Sequence, residues 1–177
     1  MFNSPKFDLY SSYPKCYEAK CDIDGLVTRN GEAYCGGILR DELGRFVMAF
    51  TTKVGRGSVL QAKLYRIWHG LRITKEQFKT SRIMVESDSM IAVNLINDGC
   101  MRSHHCFETF REVIKELVAH NQLISCSYIS REANKVVDAL AKSRVANGEE
   151  PIIFFNPPSL ILPLLLAYSS GLLNSCS

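Results

Sequence analysis

Apolar residues along the chain fall into two rhythms. In SVLQAKLYRIWHGLRI (58–73), Leu60, Leu64, Ile67 and Leu71 recur at i, i+4, i+7 and i+11, the period of a helix with one buried face. HCFETFREVIKELVAH (105–120) repeats it with Phe107, Phe110, Ile114 and Leu117. EANKVVDALAKSRVA (132–146) does so with Val136, Leu140 and Ala141 facing inward, and a shorter helix is predicted from Ser89 to about Ile96. KCYEAKCDID (15–24), RIMVESD (82–88) and the alternating QLISCSYI (122–129) read as strands. EAYCGGILRDELGRFVMAFTTKV (32–54) reads as two strands around a turn at Asp41–Gly44, where glycine accepts a positive φ. The predicted order is β-β-β-α-β-α-α-β-α. Strands grouped first and alternating with helices later predict an α/β fold, a mixed sheet covered by helices.

Composition changes this picture little. A chain of 177 residues, 46% apolar and 22% charged, suits one globular domain and excludes a disordered chain. The net charge of +3 does not by itself require a polyanion partner. Its distribution says more: residues 51–82 hold Lys53, Arg56, Lys63, Arg66, Arg72, Lys75, Lys79 and Arg82 against the single acid Glu76. Such a run either attracts phosphate or solvates a helix face. The seven cysteines include no CxxC and no zinc-ligand spacing, and their odd number opposes a fully paired disulfide framework. They are expected to be buried thiols in a reducing, intracellular compartment. MFNSPKFDLYSSYPK, at the start, lacks the apolar run of a signal peptide. PIIFFNPPSLILPLLLAYSSGLL is very apolar but interrupted by Pro151, Pro157, Pro158 and Pro163, too broken to span a bilayer. It is expected to pack on the domain or on a protein partner. The expected organisation is a tail (1–14), a domain (15–147) and an apolar, proline-interrupted segment (148–177).

Three acids stand where α/β proteins collect ligands. Asp24 is expected to end the first strand just before Gly25, with Asp22 two residues back on the same face. Asp88 ends the fourth, with Glu86 likewise on its face, and Asp138 sits on the last helix. Each alone is more often a turn former or cap. Together, on elements expected to be neighbours, they form a hard oxygen set suited to Mg²⁺.

DIDG (22–25), GGILRDELGR (36–45), LQAKLYRIWHGLRI (60–73), VESDSMIAVNLIND (85–98) and SREANKVVDALAK (130–142) resemble, in order and spacing, the ribonuclease H-like domains of plants, the reverse-transcriptase-associated, retroelement type. The resemblance implies a ribonuclease H-like fold with a five-stranded mixed sheet, its first three strands antiparallel. It implies a nucleic-acid-binding domain that cuts RNA in RNA–DNA hybrids with two Mg²⁺ or Mn²⁺ ions held by four carboxylates; a monomer without membrane attachment is expected. Matched motif to motif, Asp24, Asp88 and Asp138 are the first, third and fourth catalytic, metal-binding acids. The second belongs to a Gln-Ala-Glu triplet, and here the triplet is Gln61-Ala62-Lys63.

Lys63 falls about 40° from Ile67 on a helical wheel, at one flank of the buried stripe. Its ammonium can relieve repulsion among the acids or turn to solvent. Toward a metal it is opposed: a +1 and a +2 charge about 4 Å apart repel by roughly 8 kcal/mol at an effective dielectric of 20. The expectation is weak metal binding, slow hydrolysis and retained affinity for nucleic acid, the alternative being an inactive module that binds nucleic acid or a protein. Backbone at Gly25 and side chains of Asn94, Asn134, Arg66 and Arg131 are the candidate contacts to RNA and phosphate. Arg131 serves otherwise as a partner of Glu132 or Asp138. Glu86 lends an oxygen to the acids or pairs with a neighbouring base. His104 and His105 are expected to be capping or surface groups, and no acidic partner is evident for His69 or His120.

Overall fold

The protein, seen in a computed structural model, is described over residues 19–77, 82–118, 123–131, 134–143, 148 and 150–169. The expected tail (1–14), residues 15–18 of the first strand, Lys79, His120, Glu132, Cys16 and Cys176 lie outside the described residues. The chain runs β1 (Ala19–Val27), β2 (Glu32–Asp41), β3 (Phe46–Arg56), α1 (Val59–Gln77), β4 (Arg82–Ser87), α2 (Met90–Asp98), α3 (Phe107–Val118), β5 (Leu123–Tyr128), α4 (Lys135–Ser143), β6 (Ile152–Phe154) and α5 (Leu162–Ser169). The first nine follow the predicted order.

All six strands join one sheet in the order β5-β4-β1-β2-β3-β6. β1, β2 and β3 are antiparallel, and β4 and β5 run parallel to β1. The sheet therefore has six strands rather than the expected five. The sixth is Ile152–Phe154 of the apolar C-terminal segment, paired antiparallel with Ala49–Thr51 of β3. Prolines on either side keep this strand short, and it covers what would otherwise be an open edge. The β2–β3 turn forms as expected, with Gly44 at φ 76° and its N–H donating to Asp41 O at 2.9 Å.

Side chains alternate across the sheet, so each face carries its own layer. Ile23, Leu39 and Phe50 pack with Leu64, Ile67 and Leu71 of α1. On the opposite face Ile38 and Ala49 meet Val136, Val137 and Leu140 of α4, closed by Ile161 ahead of α5. α3 lies on α1 and α2 instead of on the sheet. Thr109 and Val113 are its most buried residues, and the expected aromatic stripe is only half-buried. α5 packs on α4, as expected of a segment that docks on the domain. No helix among the described residues is long and apolar enough to cross a membrane.

One close approach sets the position of α4. Gly36 of β2 stands opposite Asp24 of β1. A Cβ there would meet Val137 O at 2.6 Å and Ala141 N at 2.7 Å, so only glycine lets the helix backbone lie this near the sheet. Gly36→Ala should cost about 1–3 kcal/mol by forcing α4 outward, measured by urea denaturation. In the same assay Ile161→Ala should cost about 2–5 kcal/mol, whereas half-exposed Leu162→Ala should cost under about 1 kcal/mol.

Candidate active site

β1 does not end at Asp24. The strand continues to Val27 against β2, and what stops there is its parallel pairing with β4, whose last partners are Ile23 and Ser87. Asp24 thus stands at the point where the sheet splits open on one side. Asp88 follows directly after β4, and Ser89 caps α2 by accepting the Ala92 N–H at 3.3 Å. α4 brings Asp138 down over the same end. The three aspartates meet in a cleft of about 310 Å³ whose other lining residues are Gly25, Lys63, Arg66, Arg131 and Lys142.

Asn134 explains how α4 is held there. It is 1% exposed, so the side chain expected to face nucleic acid is enclosed here. Its Nδ2 donates to Ile23 O at 3.3 Å, and its carbonyl accepts the Asp138 N–H at 3.1 Å. One buried amide therefore ties the start of the helix to the residue before Asp24. Its side-chain oxygen has no hydrogen-bond partner among the described residues. Asn94 is exposed on α2 and lies outside the cleft lining.

The carboxylates are already engaged. Asp24 Oδ1 accepts the Gly25 N–H at 2.6 Å. Arg131 Nε donates to Asp88 Oδ2 at 3.1 Å, the guanidinium 77% exposed above a carboxylate 8% exposed. The partner of Arg131 is thus Asp88, not Asp138. Lys142 Nζ donates to Asp138 Oδ2 at 2.5 Å, which holds the lysine above its ordinary pKa. Lys142 was not singled out from the sequence, although its spacing four residues after Asp138 on an exposed helix face is the signal for such a pair.

Lys63 faces this cleft half-buried on α1, and makes no ion pair among the described residues. Arg66, one turn on, is 5% exposed and likewise forms no ion pair among them. It runs beneath Gly25, where a Cβ would collide with its Nε and Cδ and with Tyr34 O. Gly25 is thus the space through which Arg66 reaches the cleft wall, and as a ligand contact the side chain is nearly enclosed. Burial lowers Arg66 from its usual pKa, while Cys35, Asp24 and Asp88 oppose the shift. Burial also pushes Asp24 up to about 6. Asp88 and Asp138 add to that rise, and the Gly25 N–H and Arg66 restrain it.

The other candidates lie elsewhere. Asp22 is 3% exposed and ion-paired with Arg40 of β2. Burial raises its pKa against the pull of Arg40. Glu86 stands beside it in register and pairs with Lys20 at 3.6 Å, so the neighbouring-base reading describes Glu86. His104 Nδ1 accepts the Cys106 N–H at 3.1 Å, a local cap before α3. His104, His105 and Cys106 present possible ligand atoms within 4.8 Å of one another, a closeness expected of consecutive residues. His69 packs edge-on to Trp68 at 4.8 Å.

The profile of the reverse transcriptase-like family matches residues 22–144. An Arabidopsis thaliana protein that carries the provisional name of ribonuclease H protein is 32% identical over 123 residues, 69% of this chain and 20% of that relative. The chain thus spans about a fifth of that protein's length. Among solved structures, RNase H1 of the archaeon Halobacterium salinarum aligns with a TM-score of 0.63 at 20% identity, over 72% of this chain and 98% of that one. LC11-RNase H1, solved with an RNA/DNA hybrid, aligns at 0.63 and 18% over 71% and 94%. A foamy viral protease-reverse transcriptase, also with a hybrid, aligns at 0.58 and 10% over 76% and 21%. These structures share the fold. With the family match across most of the sheet and the cleft, the chain belongs to the reverse transcriptase-like family and has an RNase H-like fold.

Proposed function

We propose that this domain binds RNA–DNA hybrid across the cleft and that hydrolysis there is suppressed. The observation carrying this reading is the cleft's composition: three carboxylates share it with four cationic side chains, among them Lys63 at the family's second carboxylate position. A hybrid occupies LC11-RNase H1, which has the same fold, and hybrid binding by this chain is the corresponding expectation. Cleavage in the family depends on two divalent ions. The residues present do not fit that pair. One acid of the four is replaced by a cation, Asp88 and Asp138 accept from Arg131 and Lys142, and the cations outnumber the acids.

A second reading, residual hydrolysis, is favoured by one observation. Asp24, Asp88 and Asp138 do converge, and Lys63 is not bound to any of them. A labelled hybrid incubated with Mn²⁺ separates the two. Wild type should cut little, and Lys63→Glu should raise the rate by at least about 10–100-fold, the effect typical of losing even an outer partner of a metal ligand. Brisk cutting by the wild type that Asp88→Asn abolishes would overturn the proposed suppression.

The raised pKa of Asp24 has a consequence for stability. An unfolded aspartate titrates near 3.9, and in the folded protein the group titrates at about 6. Between those values the folded state binds the extra proton, so this contribution to stability falls as pH rises and is fully lost above pH 6. Asp24→Asn should therefore melt above wild type at pH 7.5, by about 2–4 °C for each kcal/mol relieved. The gap should close as pH falls toward 4, and thermal scans across pH test it.

A further inference from the structure

We infer that the cleft grips a backbone phosphodiester directly, with Lys63, Arg131 and Lys142 over it and Arg66 beneath, so that binding needs no divalent ion and is opposed by one. This rests on the hybrid-binding reading above and names how that same site would hold its ligand.

The charge pattern comes first. A pair of divalent ions brings phosphate to a wholly acidic cluster by reversing its sign. Here the sign is reversed by the chain's own side chains, since four cations face three acids in one lining. Lys63 and Arg66 have no ion pair among the described residues to neutralise them. A monoanionic phosphodiester balances that surplus, and a divalent ion increases it.

Donor geometry comes second. Arg131 uses Nε toward Asp88, leaving its terminal nitrogens to donate elsewhere. Lys142 spends one of three N–H donors on Asp138. Both side chains are mostly exposed, at 77% and 63%, while Asp88 is at 8%. Asp88 therefore acts as a buried anchor and Asp138, 37% exposed, as a shallower one, each holding a more exposed cation at the opening. Arg66, nearly enclosed, adds its charge from the floor and carries a buried Nε–H without a hydrogen-bond partner among the described residues. Gly25 keeps that floor free of a side chain.

Equilibrium binding of a labelled RNA–DNA hybrid tests this, read by fluorescence anisotropy in EDTA and in Mg²⁺, with NaCl matching the ionic strength and strand integrity checked after each reading. Wild type should bind fully in EDTA, and Mg²⁺ should weaken it more than the matched NaCl does. Lys63→Glu should lose roughly ten-fold in EDTA and recover when Mg²⁺ is added, reversing the sign of the metal effect. Lys63→Gln, the milder change, should weaken binding and reduce the salt slope by about one released ion. Hybrid binding by the wild type that requires Mg²⁺ would overturn the inference and leave the proposed function standing. No hybrid binding in either buffer would overturn both. Displacement by inorganic phosphate at the same concentration as unlabelled hybrid would also overturn the inference, because the cleft would then serve a free phosphate.

Discussion

The backbone of α4 lies on the sheet at Gly36, at a distance that leaves no room for a single methyl group. Because Gly36 is the cross-strand partner of Asp24, this close approach of helix to sheet falls directly beside the first acid of the cleft. Asn134 then fixes the start of the helix to Ile23 O. Asp138, one turn further along, has little freedom in where it can point. Val136, Val137 and Leu140 secure the same placement through burial against Ile38 and Ala49. The placement of Asp138 therefore follows from core packing at residues other than Lys63.

That independence bears on how a lysine is tolerated. In a wholly acidic cleft the aspartates repel one another, and the raised pKa of Asp24 records the residue of that repulsion added to burial. Arg131 and Lys142 relieve it from exposed positions, where each pair is screened and individually worth little. Lys63 adds positive charge without any direct pairing among the described residues. The fold is stable because its energy lies in the two apolar layers, so the charges at the cleft are free to differ in sign from the family's pattern.

The C-terminal segment shows the same economy of elements. Its apolar residues, with prolines breaking them into short pieces, supply a strand for the β3 edge and a helix for α4. Ile161 closes the second core layer. The sequence left the domain and a protein partner as destinations for these side chains, and packing on the domain accounts for the ones buried here.

Much was determined by sequence alone. The 3.6 and 2.0 periods of α1, β4, β5 and α4, the Asp41–Gly44 turn, and the order of nine elements are local consequences of side-chain spacing, and five motif blocks carried the family. Tertiary structure decided the rest. The sixth strand depends on the pairing of residues about a hundred positions apart. The burial of Asn134 and Arg66, both expected to meet a ligand, comes from chain crossing above them. Arg131 took Asp88 as its partner across 43 positions, and no helical spacing could show that. Periodicity reports which face of an element is buried. Where two elements cross, and which charges then lie within reach of each other, is set by the packing of all of them together.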